Sequence, residues 1–223
     1  MRASDGNEIH GLYWPPPAGA GAARPTVLFL HGNAQTVFEW AMVRADLQAL
    51  EAGMLLIDYP GYGKSQGRPA EASLYAAGHA ALDWLQAERD TAIGDIVVFG
   101  KSLGGGVATE LCVERAVRGL ILESTFCSVP EVARRLIPFM PGSLVFKSER
   151  YASSERMARI TAPVLVIHGD GDSLIPVDQG RALHERANEP KSLYIVAGAG
   201  HNDVAPTAGA AYGRTIAEWL AAL

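Results

Sequence analysis

One stretch of the chain reads Asp95-Ile96-Val97-Val98-Phe99-Gly100-Lys101-Ser102-Leu103-Gly104-Gly105-Gly106-Val107. Its apolar, β-branched first part is typical of a strand covered on both faces, and the residues from Leu103 onward predict a helix. A serine at such a sharp strand-to-helix turn protrudes, so its hydroxyl can reach a carbonyl once a neighbouring base takes the proton. Ser102 is therefore the candidate nucleophile. An ordinary serine that caps a helix in a glycine-rich turn is the alternative interpretation.

The rest of the chain alternates between short apolar runs and helix-length stretches. The apolar runs predict strands at residues 8–14, 26–30, 54–57, 95–99, 120–122, 164–167 and 193–196. The stretches between them predict helices at residues 36–50, 69–89, 103–118, 177–187 and about 206–220. This alternation predicts a mostly parallel central sheet with helices on both faces, which is a three-layer α/β domain.

Length and charge limit the classes of protein that fit. A chain of 223 residues can bury roughly 70% of its unfolded surface, and no repeat or long linker divides it, so we expect one domain over residues 1–223. Its net charge is −5, without charged blocks, which argues against nucleic acid as a partner. Cys112 and Cys127 are too isolated for a disulfide framework or a zinc cluster, and we expect two reduced thiols.

No apolar run approaches the 18 or so residues that a membrane-spanning helix needs. The first residues, 1–6, also lack the apolar segment of a signal peptide. We therefore expect a cytoplasmic protein without an integral membrane segment.

Residues 127–160 depart from the alternation, because they separate two predicted strands by more than one ordinary helix. Ser128 and Glu131 have the spacing of a capping box, which predicts a short helix that Pro138 and Pro141 then end. We predict that this segment is a small lid inserted into the domain. Its apolar side chains could bind an acyl or aromatic group or simply cover the sheet, and the candidates for substrate contact are Val129, Leu136, Phe139 and Met140.

A serine nucleophile of this kind needs an acid and a histidine, which follow it along the chain in that order. Asp170 and Asp172 come directly after the sixth predicted strand, at the edge where open α/β sheets place their sites. We favour Asp172, since a few loop residues are needed to bring a carboxylate round to the base, and Glu123 is the alternative acid. His201 lies in a glycine-bounded loop after the last strand and is the candidate general base.

Two backbone N–H groups should face the oxygen that becomes negatively charged during the reaction. Leu103 supplies one donor because it follows the nucleophile directly. The loop after the second strand should supply the other, and there Gly32 allows close approach. Asn33 is the preferred donor and Ala34 the second choice. Removing one such donor typically costs roughly 10²–10³ in rate.

Taken together, these residues resemble the α/β-hydrolase superfamily over nearly the whole chain, and in particular its compact Bem46-like hydrolases and protein depalmitoylases. The motifs occur in family order: His31-Gly32-Asn33-Ala34, Asp58-Tyr59-Pro60-Gly61-Tyr62-Gly63-Lys64-Ser65-Gln66-Gly67, Gly100-Lys101-Ser102-Leu103-Gly104-Gly105, Glu123-Ser124-Thr125-Phe126, His168-Gly169-Asp170-Gly171-Asp172 and His201-Asn202-Asp203. The resemblance implies an α/β-hydrolase fold. It implies Ser102, Asp172 and His201 as the catalytic triad, with Asn33 and Leu103 at the oxyanion hole. Unlike many Bem46-like proteins, this sequence shows no N-terminal membrane anchor, which argues against membrane-bound substrates.

The expected function is that of a serine hydrolase, which cleaves carboxylic ester or acyl-thioester bonds of a small molecule through an acyl-enzyme. A serine peptidase, either an aminopeptidase or an acyl-peptide hydrolase-like enzyme, is one alternative. A ligand-binding protein that keeps the triad without turnover is the other.

The sequence implies no cofactor and no metal. Two tripeptides have the ending of a phosphate-binding loop, Gly63-Lys64-Ser65 and Gly100-Lys101-Ser102. Such a loop also needs a glycine five residues before this ending, and the chain has Asp58 and Asp95 at these positions. No dinucleotide-binding, H-E-x-x-H or paired-cysteine motif occurs. Lys101, beside the candidate nucleophile, is expected to be an exposed side chain.

Overall fold

The computed structural model of the protein describes residues 1–17, 24–136 and 149–223. Its strands are β1 (Gly11–Trp14), β2 (Thr26–Leu30), β3 (Gly53–Ile57), β4 (Ile96–Lys101), β5 (Gly119–Glu123), β6 (Val164–Gly169) and β7 (Lys191–Val196). Within the described residues these seven strands form one sheet in the order β1-β3-β2-β4-β5-β6-β7. β1 runs antiparallel to β3, and the other neighbours are parallel. The predicted mostly parallel sheet is therefore confirmed.

Helices cover both faces of the sheet, as predicted. They are α1 (Val37–Trp40), α2 (Val43–Asp46), α3 (Glu71–Arg89), α4 (Leu103–Glu114), α5 (Val129–Leu136), α6 (Ser153–Arg156), α7 (Val177–Arg186), α8 (Val204–Ala208) and α9 (Ala210–Ala221). Successive strand residues alternate between two buried clusters: Leu28 packs with α3, α4 and α7 on one face, and Phe29 packs with α1, α2 and α9 on the other. Each fully buried aliphatic side chain contributes about 1.5–3 kcal/mol, so this double core stabilises the three layers.

The helix predicted over residues 36–50 is wrong, because the structure has α1, α2 and a 3₁₀ turn, Gln48–Leu50, in its place. Val37 and Val43 are both buried in the same cluster against the sheet. On one straight helix, six positions correspond to about 1.7 turns, so the two side chains would point in different directions. Breaking the helix after Trp40 allows both valines to pack.

Several other predicted elements differ from the structure in extent, among them the helix predicted at residues 103–118, which ends at Glu114. The helix predicted at residues 206–220 is divided into α8 and α9 at Gly209, whose φ of 55° and ψ of −138° are not helical. The strand predicted at residues 8–14 begins only at Gly11. Glu8 instead makes an isolated bridge with Arg2. None of these changes moves the edge of the sheet where the candidate site lies.

The segment predicted as a lid is described in part. α5 begins after Ser128, whose Oγ accepts a hydrogen bond from the Glu131 N–H at 3.4 Å. Pro138 and Pro141, which we predicted to end this helix, lie outside the described residues. The lid itself therefore stays a prediction.

Both cysteines are buried free thiols. Burial raises the pKa of each thiol, that of Cys127 to about 11 and that of Cys112 still further. Both are therefore uncharged and poorly nucleophilic at neutral pH. In the described part of the chain, no helix combines the length and the apolar character needed to cross a bilayer.

Candidate active site

Ser102 lies at the junction of β4 and α4 with φ 52° and ψ −117°. This region is sparsely populated by residues other than glycine and costs about 1–3 kcal/mol, so the surroundings must impose it. The Ser102 N–H donates to the Glu123 carbonyl at 2.9 Å. The Ser102 carbonyl accepts hydrogen bonds from the Gly105 N–H at 3.0 Å and the Thr125 hydroxyl at 2.7 Å. The main chain of the serine is therefore fixed on both sides.

The glycines around Ser102 are required by close approach of the backbone. A Cβ added at Gly104 would lie 1.9 Å from the Leu30 carbonyl oxygen, and one added at Gly100 would lie 2.6 Å from the Gly104 carbonyl oxygen. Because these contacts are with main-chain atoms, side chains elsewhere cannot relieve them. The glycine pattern seen in the sequence is thus a packing requirement of the turn.

His201 lies between Ser102 and Asp172. Its Nε2 is 3.1 Å from Ser102 Oγ, and its Nδ1 is 2.7 Å from Asp172 Oδ2. An ionised carboxylate can only accept hydrogen bonds, so the Nδ1 of a neutral imidazole must carry the proton and Nε2 must accept from the serine hydroxyl. The structure therefore brings together the three side chains that the sequence predicted as a triad.

Asp172 is held in the ionised form. Burial alone would raise the pKa of this carboxyl, but hydrogen bonds from His168 and His201 and from the Ile175 N–H together bring it below its usual range. Oδ1 accepts the N–H groups of Leu174 and Ile175 at 2.9 and 2.8 Å, while Oδ2 faces His201. The carboxylate is consequently fixed in orientation and negatively charged at neutral pH.

The sequence matches a known protein family over part of its length. The sequence model of a family described as "Serine aminopeptidase, S33" (Hydrolase_4) matches residues 21–151, which is more than half of the chain. The chain belongs to this family of α/β hydrolases. The match includes Ser102 and ends before Asp172 and His201.

A relative and two solved structures extend the likeness over almost the whole hydrolase. The Mycobacterium tuberculosis protein named "Uncharacterized protein Rv2307c" is 38% identical over 203 residues, which are 91% of this chain and 71% of that protein. The Pyrococcus furiosus esterase Pf2001 superposes with a TM-score of 0.80 at 20% identity, covering 100% of this chain and 90% of that one. Est1E from Butyrivibrio proteoclasticus, solved with bound ferulic acid, gives 0.79 at 21% identity, covering 97% of each. At these identities the structures show the shared fold.

The other two candidate acids of the hydrolase have different partners. Asp170 is exposed, and its Oδ1 accepts the Gly198 N–H at 2.6 Å, which connects the loops after β6 and β7. The two carboxylate oxygens of Glu123 accept hydrogen bonds from Lys101 and from the Tyr212 hydroxyl. Of the three acids considered from sequence, Asp172 is the one that the structure places against His201.

The expectation that Lys101 is exposed is wrong. Its side chain is buried, with 4% of the residue accessible. Side chains alternate along β4, and Lys101 follows Val97 and Phe99 on the face covered by α9. The strand was predicted to end at Phe99, so the sequence alone gave no reason to extend the alternation to the lysine.

The loop that should supply the second oxyanion donor runs beside the nucleophile. A Cβ added at Gly32 would lie 3.4 Å from Ser102 Cβ. The Tyr62 hydroxyl donates to Asn33 Oδ1 at 2.5 Å. Burial raises the pKa of Tyr62, and a hydrogen bond with the backbone of Ala34 opposes this shift. Asn33 stays the preferred candidate for the second donor and Ala34 the second choice.

Sequence reasoning missed Asp58, a fully buried carboxylate just beyond the end of β3. It accepts the N–H groups of Val37 at 2.9 Å and Lys64 at 3.1 Å, and His10 Nδ1 lies 2.8 Å from its Oδ2. Gly63 leaves room for it, because a Cβ there would lie 2.2 Å from Asp58 Oδ2. An acid directly after a buried strand and before a glycine-rich turn was the signal available in the sequence.

The residues predicted to contact substrate are only partly described. Val129 packs against the core on the α4 side of the sheet, and its N–H donates to the Arg150 carbonyl at 2.9 Å. Leu136 is the last residue of α5. Phe139 and Met140 lie outside the described residues. Their role in substrate binding stays a prediction.

One group of potential metal ligands occurs in the described part of the chain, away from the triad. Single ligand atoms of His79, Glu110 and Glu114 lie within 4.8 Å of one another. Glu110 already has a cationic partner, because Arg156 Nε is 2.7 Å from its Oε2. Glu110 is seven residues along α4 from Leu103, or about 10 Å at 1.5 Å per residue. This group is therefore separate from the chemistry at Ser102.

Proposed function

We propose that this hydrolase cleaves carboxylic ester or acyl-thioester bonds of small molecules, with Ser102 as nucleophile, His201 as general base and Asp172 as the orienting acid. The observation that carries the proposal is the continuous line of hydrogen-bonding contacts, 3.1 Å from serine to imidazole and 2.7 Å from imidazole to carboxylate. The strained main chain of Ser102 supports it further, because such strain concentrates at functional sites.

The acylation step follows from these contacts. Ser102 Oγ attacks the carbonyl carbon while His201 Nε2 takes the hydroxyl proton, and the carbonyl π electrons move onto its oxygen. The tetrahedral intermediate then collapses, the bond from carbon to the leaving oxygen or sulfur breaks, and His201 returns its proton to the leaving alcohol or thiol. Asp172 stays ionised and stabilises the imidazolium throughout.

Deacylation repeats the same proton transfers with water. His201 takes a proton from the water as its oxygen attacks the acyl carbon, and the bond to Ser102 Oγ then breaks. The histidine returns that proton to the serine, and a carboxylic acid leaves. In both steps the N–H groups of Asn33 and Leu103 would donate to the negatively charged oxygen. The helix start at Leu103 adds a favourable dipole to this donor pair.

An aminopeptidase is the second candidate function, because the family model that matches residues 21–151 carries that description. The same triad can cleave amides. The ester proposal draws support from the esterase Pf2001, whose fold matches over 90% of its length, and from Est1E, which was solved with bound ferulic acid and matches over 97%. The ratio of activities on a matched amide and ester of one acyl group distinguishes the two.

The deciding experiment combines substrates with an active-site probe. We expect hydrolysis within a series of p-nitrophenyl esters from acetyl to palmitoyl or of an acyl thioester, and covalent labelling by a fluorophosphonate. Ser102→Ala should abolish both while the protein stays folded. Ser124→Ala is the control, because Ser124 also lies at a strand end with a positive φ, of 46°, but is fully buried, whereas Ser102 is partly accessible. Labelling that persists in Ser102→Ala and disappears in Ser124→Ala would contradict the proposal, and silence of the wild-type protein would favour the ligand-binding alternative.

A further inference from the structure

A buried polar cluster lies behind the nucleophile. Lys101 and Glu123 end the neighbouring strands β4 and β5, are register partners in the sheet, and are 4% and 3% exposed. The lysine ammonium donates to Glu123 Oε1, and the hydroxyl of Tyr212 on α9 donates to Glu123 Oε2. We call these three residues the Lys101 cluster.

The cluster makes hydrogen bonds to the main chain of both residues that exchange the proton in the proposed mechanism, Ser102 and His201. Lys101 Nζ also donates to the carbonyl oxygen of His201 at 3.2 Å. Glu123 accepts the Ser102 N–H through its own carbonyl at 2.9 Å. Lys101 is also the residue directly before the nucleophile. The main chains of Lys101 and Glu123 therefore hold the backbone of the serine, and the side chain of Lys101 holds the backbone of the histidine.

Stability alone does not account for a buried ion pair at this position. Replacing such a pair by apolar residues of similar volume is often neutral or stabilising, because two charges lose their hydration on burial. The surroundings are apolar, since the same face carries Phe99 and Ile121, and the Trp40 ring lies 5.7 Å from the lysine nitrogen. What apolar residues could not supply is the hydrogen bond to the His201 carbonyl.

Asp46 on α2 is a further acid near the cluster. Burial raises the pKa of its carboxyl, the charge of Glu123 raises it further, and the charge of Lys101 lowers it. Asp46 is therefore a second acid whose negative charge is stabilised by Lys101.

We infer that the Lys101 cluster is a positioning group for His201, which holds the histidine loop against the nucleophile strand so that the imidazole stays within reach of Ser102. The inference rests on the proposed function. Glu123 fixes the lysine, Tyr212 fixes Glu123, and the lysine fixes the main chain of the histidine. Small misplacements of reacting groups are costly, since about 1 Å can reduce a rate about 10²-fold.

The test replaces the whole cluster by apolar residues of similar size, Lys101→Met with Glu123→Leu and Tyr212→Phe. No side chain of the cluster is then left buried with an unpaired charge, and the His201 carbonyl alone loses a donor, so we expect the urea midpoint of unfolding to be nearly retained. We expect kcat on a p-nitrophenyl ester to fall about 10–100-fold with KM unchanged. Hydrogen exchange measured by mass spectrometry should become faster in a peptide covering residues 198–204. Lys101→Met alone should instead lower the urea midpoint, because it leaves the Glu123 carboxylate buried without its cation.

The matched control removes a different ion pair of low exposure, that between Arg156 and Glu110, whose side chains are 16% and 23% accessible. This pair links α6 to α4 and does not contact the proposed triad. Arg156→Met with Glu110→Leu should leave kcat and the exchange of residues 198–204 at wild-type values. If the loss of any ion pair lowered kcat and made exchange of residues 198–204 faster, this control variant would show the same changes, and the inference would be overturned.

The inference requires that kcat and exchange both change. A folded triple variant with a wild-type kcat, or with wild-type exchange at residues 198–204, overturns it. If the triple variant does not fold, Tyr212→Phe takes its place, with the same two changes expected at smaller size and the same outcomes overturning it. If the wild-type protein hydrolyses no substrate, the proposed function fails, and the exchange comparison alone decides whether the cluster holds the His201 loop.

Discussion

The carboxylate of Asp58 accepts the N–H of Val37 at 2.9 Å, and so connects the end of β3 to the start of α1. α1 follows directly on the loop that carries Asn33, the proposed oxyanion donor. The same carboxylate also holds the Lys64 N–H and faces His10. One buried side chain thus ties three segments together at the edge of the sheet where the site lies.

We expect Asp58→Ala to destabilise the protein by about 3 kcal/mol or more, because hydrogen bonds to a charged group contribute about 1.5–3 kcal/mol each and several donors lose their partner. Urea unfolding measures the loss. Asp58→Asn, which can still accept from Val37, should lose less. Asp5→Ala is the control, since Asp5 is exposed and accepts hydrogen bonds from its near neighbour Asn7. Equal losses for Asp58→Ala and Asp5→Ala would show that Asp58 does not tie these segments together.

Gly104→Ala should prevent normal folding or destabilise the protein strongly. Within a helix this exchange usually stabilises, by about 0.4–1 kcal/mol, where the backbone conformation suits alanine. Here the new Cβ would lie 1.9 Å from the Leu30 carbonyl oxygen in the central sheet. The measurements are soluble yield and thermal unfolding.

Gly94→Ala is the control for that substitution, because a Cβ at Gly94 meets nothing within 4 Å. It should unfold at the wild-type temperature. If the two alanine variants had the same stability, the close contact between α4 and β2 would not constrain the turn, and the packing argument for the glycines would be wrong.

The fold and the turn at Ser102 could be predicted because their signals are local. β4 and its neighbours are apolar on both faces, and the glycines flanking Ser102 are required by backbone contacts within a few residues and with β2. Asp172 could be preferred to Asp170 from the number of loop residues that separate each acid from the end of the strand. These features depend on residues that lie close together in the sequence or on the register of one strand.

Other features depend on partners distant in sequence, which no local pattern reveals. The charge of the buried Lys101 is paired with Glu123, and Glu123 in turn accepts a hydrogen bond from Tyr212, which lies 89 residues further along the chain. The break between α1 and α2 likewise follows from how Val37 and Val43 meet the sheet. Local helix-forming tendency in residues 36–50 was overridden there by tertiary packing.

Asp172→Asn should lower kcat by about 10³–10⁴ while leaving the fold intact. An amide at this position can donate to His201 Nδ1, which would move the imidazole proton to Nε2 and remove the acceptor that Ser102 needs. Steady-state kinetics on a p-nitrophenyl ester provide the measurement. Asp170→Asn is the matched control and should retain full activity, because Asp170 bonds to the Gly198 N–H and not to His201. If Asp170→Asn lost activity and Asp172→Asn retained it, the assignment of the acid would be reversed.

The pKa of Asp172 also predicts how stability depends on pH. In the folded protein this pKa lies below its ordinary value, since hydrogen bonds from His168 and His201 and from the Ile175 N–H outweigh the effect of burial. A carboxyl whose pKa is lower when folded than when unfolded stabilises the protein fully above the unfolded pKa of about 3.9, and this stabilisation is lost as pH falls through the folded pKa. The difference in unfolding free energy between wild type and Asp172→Asn should therefore shrink as pH falls from about 5 to below about 4. Urea unfolding of both proteins across this range measures it, and because the other carboxyls titrate in both proteins, their effects cancel in the difference. If this difference instead grew on acidification, burial would dominate the pKa of Asp172, and the carboxyl would be protonated more readily in the folded state. Asp172 could then not be the ionised member of the triad.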